Sequence, residues 1–317
     1  MTVLVIATES DPHTRAVVGT IEDLGGSAEV LDLSRVPQRT SLSIRYTCCG
    51  ERTFQFGGEG GTIDLADVGA IWWRRPQQPQ LSSEITDPTH RLFAANETHE
   101  ALSGLWYALD AFWINDPARD HVAHRKVKQL RVAQDVGLRI PDTLITCDPG
   151  AARQFIDRHG YRAVAYKSFS ALEEEWRETR VLRGEELELL DAVRFAPVIF
   201  QEYIEAVYDL RISVVGREVF PAAIHSQQTD YPADFRMDMD NADIEPVTLP
   251  QEVTHQLLDL MDRLGLVYGA IDMRLREDGR YVFLEVNPAG QWLFIEEKTR
   301  QPIAASLARA LVTAHAP

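Results

Sequence analysis

The segment Tyr281–Glu297, YVFLEVNPAGQWLFIEE, constrains this chain more than any other. An apolar run, Val282-Phe283-Leu284, leads into Glu285, and Asn287 follows two residues later, on the same face of a strand. Asp272 lies in a second apolar stretch, YGAIDMRL, and Glu277-Asp278-Gly279 between the two reads as a turn. Paired as a hairpin, the strands bring Asp272 to Glu285 and Asn287. Acids that interrupt such strands need a compensating partner. Two carboxylates and an amide oxygen at a strand end suit Mg²⁺, a hard cation that takes oxygen ligands and shares them with phosphates.

The chain has 317 residues, 45% hydrophobic and 25% charged, long enough for two or three lobes. No apolar run approaches the length of a membrane span. MTVLVIATES lacks a basic n-region and a cleavage site and reads as a first strand, so a cytoplasmic location is the default. Cys48, Cys49 and Cys147 show no zinc spacing, in keeping with a reducing compartment. A net charge of −16 argues against nucleic-acid binding, which needs clustered cations, and is compatible with a basic peptide partner.

Residues 1–115 read as an α/β lobe. VLVIA is its buried parallel-type strand, a helix runs from about Asp11 to Leu24, and residues 42–63 form a hairpin excursion. AIWWR (Ala70–Arg74) is a further strand, Pro88 to about Phe112 a long helix, and Trp113-Ile114-Asn115 a short strand. Residues 116–200 form a central lobe: a helix over about Arg119–Val136, a strand at Ile140–Thr146, a helix at Pro149–His159, and strands at Ala163–Ser168 and Pro197–Tyr203. Residues 201–317 form a third lobe, with paired strands at Leu210–Val215 and Glu218–Ile224, a polar loop over about Ser226–Asp243, a helix at Pro250–Leu264, the Asp272 and Glu285 strands, and a last helix at Pro302–Ala314.

Lysine is scarce: Lys126, Lys128, Lys167 and Lys298 are the only four, while arginine fills the other 28 of 32 basic positions. Lys167 sits inside the apolar strand AVAYKS, where a charge calls for an anion such as a nucleotide phosphate, or for an edge position from which the side chain snorkels. Phe200–Glu205 ends a strand at the junction of two lobes, where backbone groups can read a purine edge and an acid can hold ribose hydroxyls. Asp209-Leu210-Arg211 puts an acid and a guanidinium on one strand face. The fork suits phosphate or acyl-phosphate oxygens, with Asp209 orienting it, unless the two are an ordinary surface pair.

In this order, RKVKQL, GLRIPDTLIT, AVAYKS, FQEYIEAVYDLRISVVG, AIDMRL and FLEVNPAGQW resemble the ATP-grasp superfamily. The fold this implies is α/β with α+β lobes: an ATP-grasp fold behind an N-terminal pre-ATP-grasp α/β domain. The resemblance implies Lys126 and Lys167 on ATP phosphates, Glu202, Tyr203 and Ile204 at the adenine hinge, and Glu205 or Asp209 near the ribose. It also implies Arg211 on the γ-phosphate or acyl phosphate, and Asp272, Glu285 and Asn287 on two Mg²⁺ ions. Arg236 is implied at the transferred phosphate or the substrate carboxylate. One segment departs from the pattern: Ser168–Arg180 has no glycine, where the family often carries a glycine-rich closing loop.

IWWRRP, WIND, IPDTLIT and NPAGQWLFIE look more narrowly like the microviridin-type branch, which makes graspetides. These ligases phosphorylate a Glu or Asp side chain of a ribosomal precursor peptide (leader plus core). A Thr or Ser hydroxyl or a Lys amine of that peptide then closes an ω-ester or ω-amide. Trp72 and Trp73 read either as peptide contacts or as one core and one interface aromatic. His225 is a candidate base by position only. A homodimer is expected from the family, with the helix near Leu102–Phe112 and the tryptophan strand as interface material. The competing expectations are an ATP-grasp ligase for a small molecule or a protein tail, and a non-catalytic nucleotide-binding regulator.

Overall fold

The computed structural model describes residues 2–58, 60–169, 180–228 and 242–314. Strand β1 (Thr2–Ile6) is buried along nearly its whole length, which its unbroken apolar run requires of a strand with both faces covered. Helix α1 (Pro12–Asp23) starts where the Asp11 carboxylate accepts from the His13 backbone N–H and Pro12 fills the first turn. Strand β2 (Ser27–Leu31) returns parallel to β1. The expected hairpin excursion is a three-stranded antiparallel sheet of β3 (Ser41–Tyr46), β4 (Arg52–Gly58) and β5 (Gly61–Asp64). Strand β6 (Val68–Trp73), helix α2 (Pro88–Ala108) and strand β7 (Phe112–Ile114) complete a parallel sheet in the order β2-β1-β6-β7. The two tryptophans of β6 point to opposite sides, as alternation demands. Trp72 joins the core beneath α1, and Trp73 packs edge-on to Trp106 and Trp113, with ring centroids 5.8 and 6.2 Å away.

The single helix expected near residues 119–136 is two, α3 (Pro117–Ala123) and α4 (Lys126–Asp135), with Arg125 extended between them. Both lie against the third lobe, where Ala123, Val132 and Ala133 share a core with Leu257 and Phe283. The central sheet holds β8 (Thr143–Thr146), β9 (Val164–Lys167), β10 (Arg180–Val181) and β11 (Val198–Glu202), covered by α5 (Pro149–His159). Its order is β10-β9-β11-β8, with β11 antiparallel to both neighbours.

The third sheet is antiparallel throughout, β14-β13-β12-β15-β16. It comprises β12 (Tyr208–Val215), β13 (Glu218–Ile224), β14 (Ile244–Pro246), β15 (Tyr268–Leu275) and β16 (Tyr281–Asn287). Helix α6 (Gln251–Leu264) precedes β15, and α7 (Leu293–Thr299) and α8 (Ile303–Thr313) follow β16. Helix α8 turns back to the first lobe. Its Leu307 and Leu311 are fully buried with Val17 and Ile21 of α1, at about 1.5–3 kcal/mol of burial per side chain. One core therefore ties the front sheet to the end of the strands that carry Asp272 and Glu285.

Candidate active site

Strands β15 and β16 meet through the Glu277-Asp278-Gly279 turn, Gly279 taking the left-handed conformation (φ 79°) that a side chain would resist. Asp272 is the register partner of Glu285 on one side and of Arg211 on the other. A bulge between Asp272 and Met273 shifts the pairing by one residue, so that Phe283 rather than Leu284 opposes Met273. Lys126, the first residue of α4, completes the row by donating from Nζ to Glu285 Oε2 at 2.5 Å. Arg211 Nη1 donates to Asp272 Oδ1 at 2.7 Å. Across the sheet the charges therefore read plus, minus, minus, plus. The two carboxylates lie side by side, each beside a cation of the described residues.

Arg211 and Asp272 are both buried, at 6% and 7% exposure. Burial pulls the guanidinium pKa down, and the Asp272 carboxylate more than reverses this, so Arg211 stays charged. Its Nη2 also donates to the Gln291 carbonyl at 2.8 Å. Asn287 Oδ1 accepts from the Ala289 N–H at 3.0 Å, which turns the chain sharply after β16.

The donor chemistry fits Mg²⁺: carboxylate and amide oxygens, with each carboxylate beside a cation. Among the described residues no three His, Cys, Asp or Glu side chains cluster to hold an ion by themselves. An ion here would need further oxygens, such as those of a phosphate group.

The expectation that Asp209 orients Arg211 is corrected. Asp209-Leu210-Arg211 and Asp272-Met273-Arg274 are two Asp-x-Arg triplets on antiparallel neighbours, so each acid meets the other triplet's arginine. Arg274 Nε donates to Asp209 Oδ1 at 2.7 Å, both side chains buried, and the Ser226 hydroxyl donates to Asp209 Oδ2. Asp272 is therefore the acid that orients Arg211. Arg274, which the sequence reading missed, also donates to the Ile204 carbonyl at 2.7 Å and lies over the Tyr203 ring, 5.0 Å from its centroid. It thereby fixes the Tyr203–Ile204 segment that follows β11. The repeated triplet was the available signal for this swap. Arg274→Ala is expected to leave Asp209 buried without its cation and to lower stability by about 3–5 kcal/mol in urea unfolding.

At the end of β11, the Glu202 N–H donates to the Asp142 carbonyl and the Tyr203 N–H to the Ala163 carbonyl, both at 2.8 Å. Those two donors serve the central sheet. Ile204 is buried and Glu205 exposed. Lys167 ends β9, in register with Ile199 of β11. His225 lies away from this row, its Nε2 3.1 Å from Glu245 Oε1 and its ring edge-on to Tyr208. Arg236 and most of Ser168–Arg180 lie outside the described residues. Gln129 is a second residue the sequence reading missed. It donates to the Val286 carbonyl at 2.8 Å and accepts from the Val286 N–H at 3.1 Å, clamping α4 onto β16.

Residues 123–311 match the RimK-like ATP-grasp domain, more than half of the chain. The chain belongs to the RimK-like ATP-grasp family. Residues 2–121 of this ATP-grasp protein match the MvdD pre-ATP grasp domain. No curated protein sequence matches it. Among solved structures it is similar to the macrocyclase MdnC bound with precursor peptide MdnA from Microcystis aeruginosa MRC, with 32% identity and a TM-score of 0.89 over 99% of this chain and all of that one. It is also similar to a Chryseobacterium gregarium RiPP-associated ATP-grasp ligase in complex with ADP and a leader and core peptide (29% identity, TM-score 0.91, covering 98% and 96%). A third likeness is to the ATP-grasp ligase PsnB complexed with a phosphomimetic variant of minimal precursor, Mg and ADP (25% identity, TM-score 0.79, covering 98% and 97%).

Proposed function

We propose that this ATP-grasp ligase activates Glu or Asp side chains of a ribosomal precursor peptide as acyl phosphates and closes them onto Thr, Ser or Lys side chains as ω-esters or ω-amides. The observation that carries this reading is the Arg211–Asp272–Glu285–Lys126 row, in a chain similar over nearly its whole length to a macrocyclase bound with its precursor peptide and to a RiPP-associated ATP-grasp ligase bound with a leader and core peptide.

A carboxylate is a poor electrophile. Attack of its oxygen on the γ-phosphorus expels ADP and leaves an acyl phosphate. Attack by the peptide hydroxyl or amine on the acyl carbon then expels phosphate, and the nucleophile's proton is lost to solvent or base. The protein's part is charge neutralisation and alignment. Arg211 offers a planar fork held in place by Asp272 and the Gln291 carbonyl, suited to phosphoryl oxygens. Lys126 and Lys167 supply point charges for the polyphosphate, and Arg236 a further one for the transferred group or the substrate carboxylate. Tyr203 and Ile204, pinned by Arg274, with Glu202 seat the adenine, and Glu205 faces solvent beside the ribose. Asp209 is committed to Arg274 and acts by holding that hinge. Asp272, Glu285 and Asn287 would hold two Mg²⁺ ions, which supply Lewis-acid neutralisation of the phosphate charge when bound.

The lobes of this reading are residues 1–115, 116–200 and 201–317. No helix among the described residues is long and apolar enough to cross a membrane. We also propose a homodimer, through the exposed apolar residues of α2. Leu102, Leu105, Trp106 and Trp72 are buried within the monomer, whereas Leu92, Phe93 and Tyr107 of α2 are each more than 60% exposed. Replacing Leu92 and Phe93 with Glu is expected to convert a dimer to a monomer in light scattering while the circular dichroism spectrum of the folded chain stays unchanged.

The test is to incubate the purified protein with ATP, Mg²⁺ and the short peptide encoded beside its gene, and to record the peptide's mass. Loss of one water per cross-link supports ring closure. An unchanged peptide with intact ATP overturns the reading, and a gain of a residue's mass replaces it with intermolecular ligation.

A further inference from the structure

The loop Pro288–Trp292 has little structure of its own and leaves the strand that carries Glu285 and Asn287. Its carbonyls are gripped largely from the front lobe. The Pro288 carbonyl accepts from Asn115 Nδ2 at 3.0 Å, the Ala289 carbonyl from Arg74 Nη1 at 2.6 Å and Arg75 Nε at 3.0 Å, and the Gly290 carbonyl from Arg74 Nη1 at 3.2 Å. At the far end, the N–H groups of Trp292 and Leu293 donate to His13 Nε2 at 3.2 and 3.3 Å. The ring closes on itself: His13 Nδ1 donates to Asp11 Oδ1 at 2.9 Å, and Asp11 Oδ2 accepts from Arg74 Nε at 3.0 Å.

An imidazole nitrogen that accepts two N–H groups carries no proton. His13 is thus neutral, with its proton on Nδ1, the tautomer Asp11 selects. The charged groups facing it are Asp11, Arg74 and Arg75, all on the front lobe. From the other side it meets the two backbone N–H groups and the edge of the Trp292 ring, centroids 5.1 Å apart.

We infer that His13, set by Asp11 and Arg74, is a positioning residue for the ligase reaction proposed above: it clasps the Pro288–Trp292 loop to the front lobe and thereby seats Arg211, whose guanidinium leans on the Gln291 carbonyl. The mechanism does not otherwise use the front lobe, and this clasp makes its position relative to the third lobe a determinant of turnover. Protonation of His13 would aim an N–H at two N–H groups and open the clasp. Burial lowers the imidazole's pKa, the neighbouring arginines act in the same direction, and Asp11 opposes them. Neutral His13 therefore contributes stability that is full above the ordinary imidazole pKa and is lost as pH falls through the lowered folded value.

The test uses the full chain with His13→Ala and His13→Gln; the Gln amide oxygen can accept the same N–H groups and does not titrate. Hydrogen exchange at Trp292 and Leu293 reads the clasp without turnover. In His13→Ala it is expected to speed up by about tenfold, the worth of one or two hydrogen bonds, with recovery in His13→Gln. With precursor peptide, ATP and Mg²⁺, His13→Ala is expected to lose kcat by about tenfold with both KM values nearly unchanged. His13→Gln should recover kcat and lose the wild type's fall in kcat at acid pH. Unchanged exchange in His13→Ala, or faster exchange with wild-type kcat, overturns the inference. A wild-type protein that cross-links no peptide overturns the ligase reading instead, and the exchange comparison still decides the clasp.

Discussion

Asp272→Asn and Glu285→Gln, made together, are expected to abolish peptide cross-linking and peptide-dependent ADP release while the chain still folds. The two carboxylates are register partners on β15 and β16 and are the row's only negative charges. Loss of one electrostatic group aimed at reacting charge typically lowers kcat by about 10²–10³, so the pair should leave no measurable turnover. The single changes should differ in stability. Asp272 neutralises a buried arginine, so Asp272→Asn is expected to cost up to about 3 kcal/mol. The Glu285 side chain is 20% exposed and its pair with Lys126 touches water, so Glu285→Gln should cost about 1 kcal/mol or less. Mass spectrometry of the peptide and urea unfolding of each variant separate the two effects. Retained turnover in Glu285→Gln would remove Glu285 from the metal set.

Gly290→Ala is the second large effect. A Cβ at Gly290 would lie 2.4 Å from the Ala270 Cβ, 2.9 Å from Arg211 Nη2 and 3.2 Å from the Asn287 carbonyl oxygen. Ala270 is a fully buried strand residue with no rotamer to yield. The loop must therefore move, and it cannot do so alone, because the Gly290 carbonyl also accepts from the Tyr268 hydroxyl at 3.0 Å. Overpacking of this kind costs about 1–3 kcal/mol. The larger consequence is displacement of Arg211, and a misplacement of about 1 Å can cost roughly 10²-fold in rate. The variant is expected to fold with a lowered melting temperature and to lose turnover by about that factor. Wild-type kcat would mean that the loop does not seat Arg211.

The hairpin that carries Asp272 and Glu285 was legible because its signals are local: two apolar strands, an acid in each, and a turn ending in Gly279. The front parallel sheet was legible for the same reason, from VLVIA and AIWWR. What escaped was set by partners distant in the chain. The bulge opposite Met273 is a backbone event with no residue that announces it. The break between α3 and α4 falls at His124-Arg125, which are ordinary helix residues, and Gln129 holds α4 against Val286, 157 positions away. Asp209 and Arg211 do share a strand face, yet each pairs across the sheet, and pairing across strands is decided by register. The buried face of α2 was not legible because the helix is apolar on several sides. Its Trp106 goes inward to meet Trp73 and Phe56, while Leu92 and Phe93 stay outside. His13 lies 279 positions from the Trp292 N–H it accepts, beyond any local pattern.

In the proposed reaction a peptide carboxylate receives the γ-phosphoryl group before the ring closes. This order of steps is tested most directly by preparing the precursor peptide with heavy oxygen in its Glu and Asp side chains, running the reaction with ATP and Mg²⁺, and weighing the released phosphate. One heavy oxygen is expected in each phosphate released, because the carboxylate oxygen that attacks phosphorus leaves with it when the hydroxyl or amine takes the acyl carbon. Cross-linked peptide accompanied by unlabelled phosphate would contradict it.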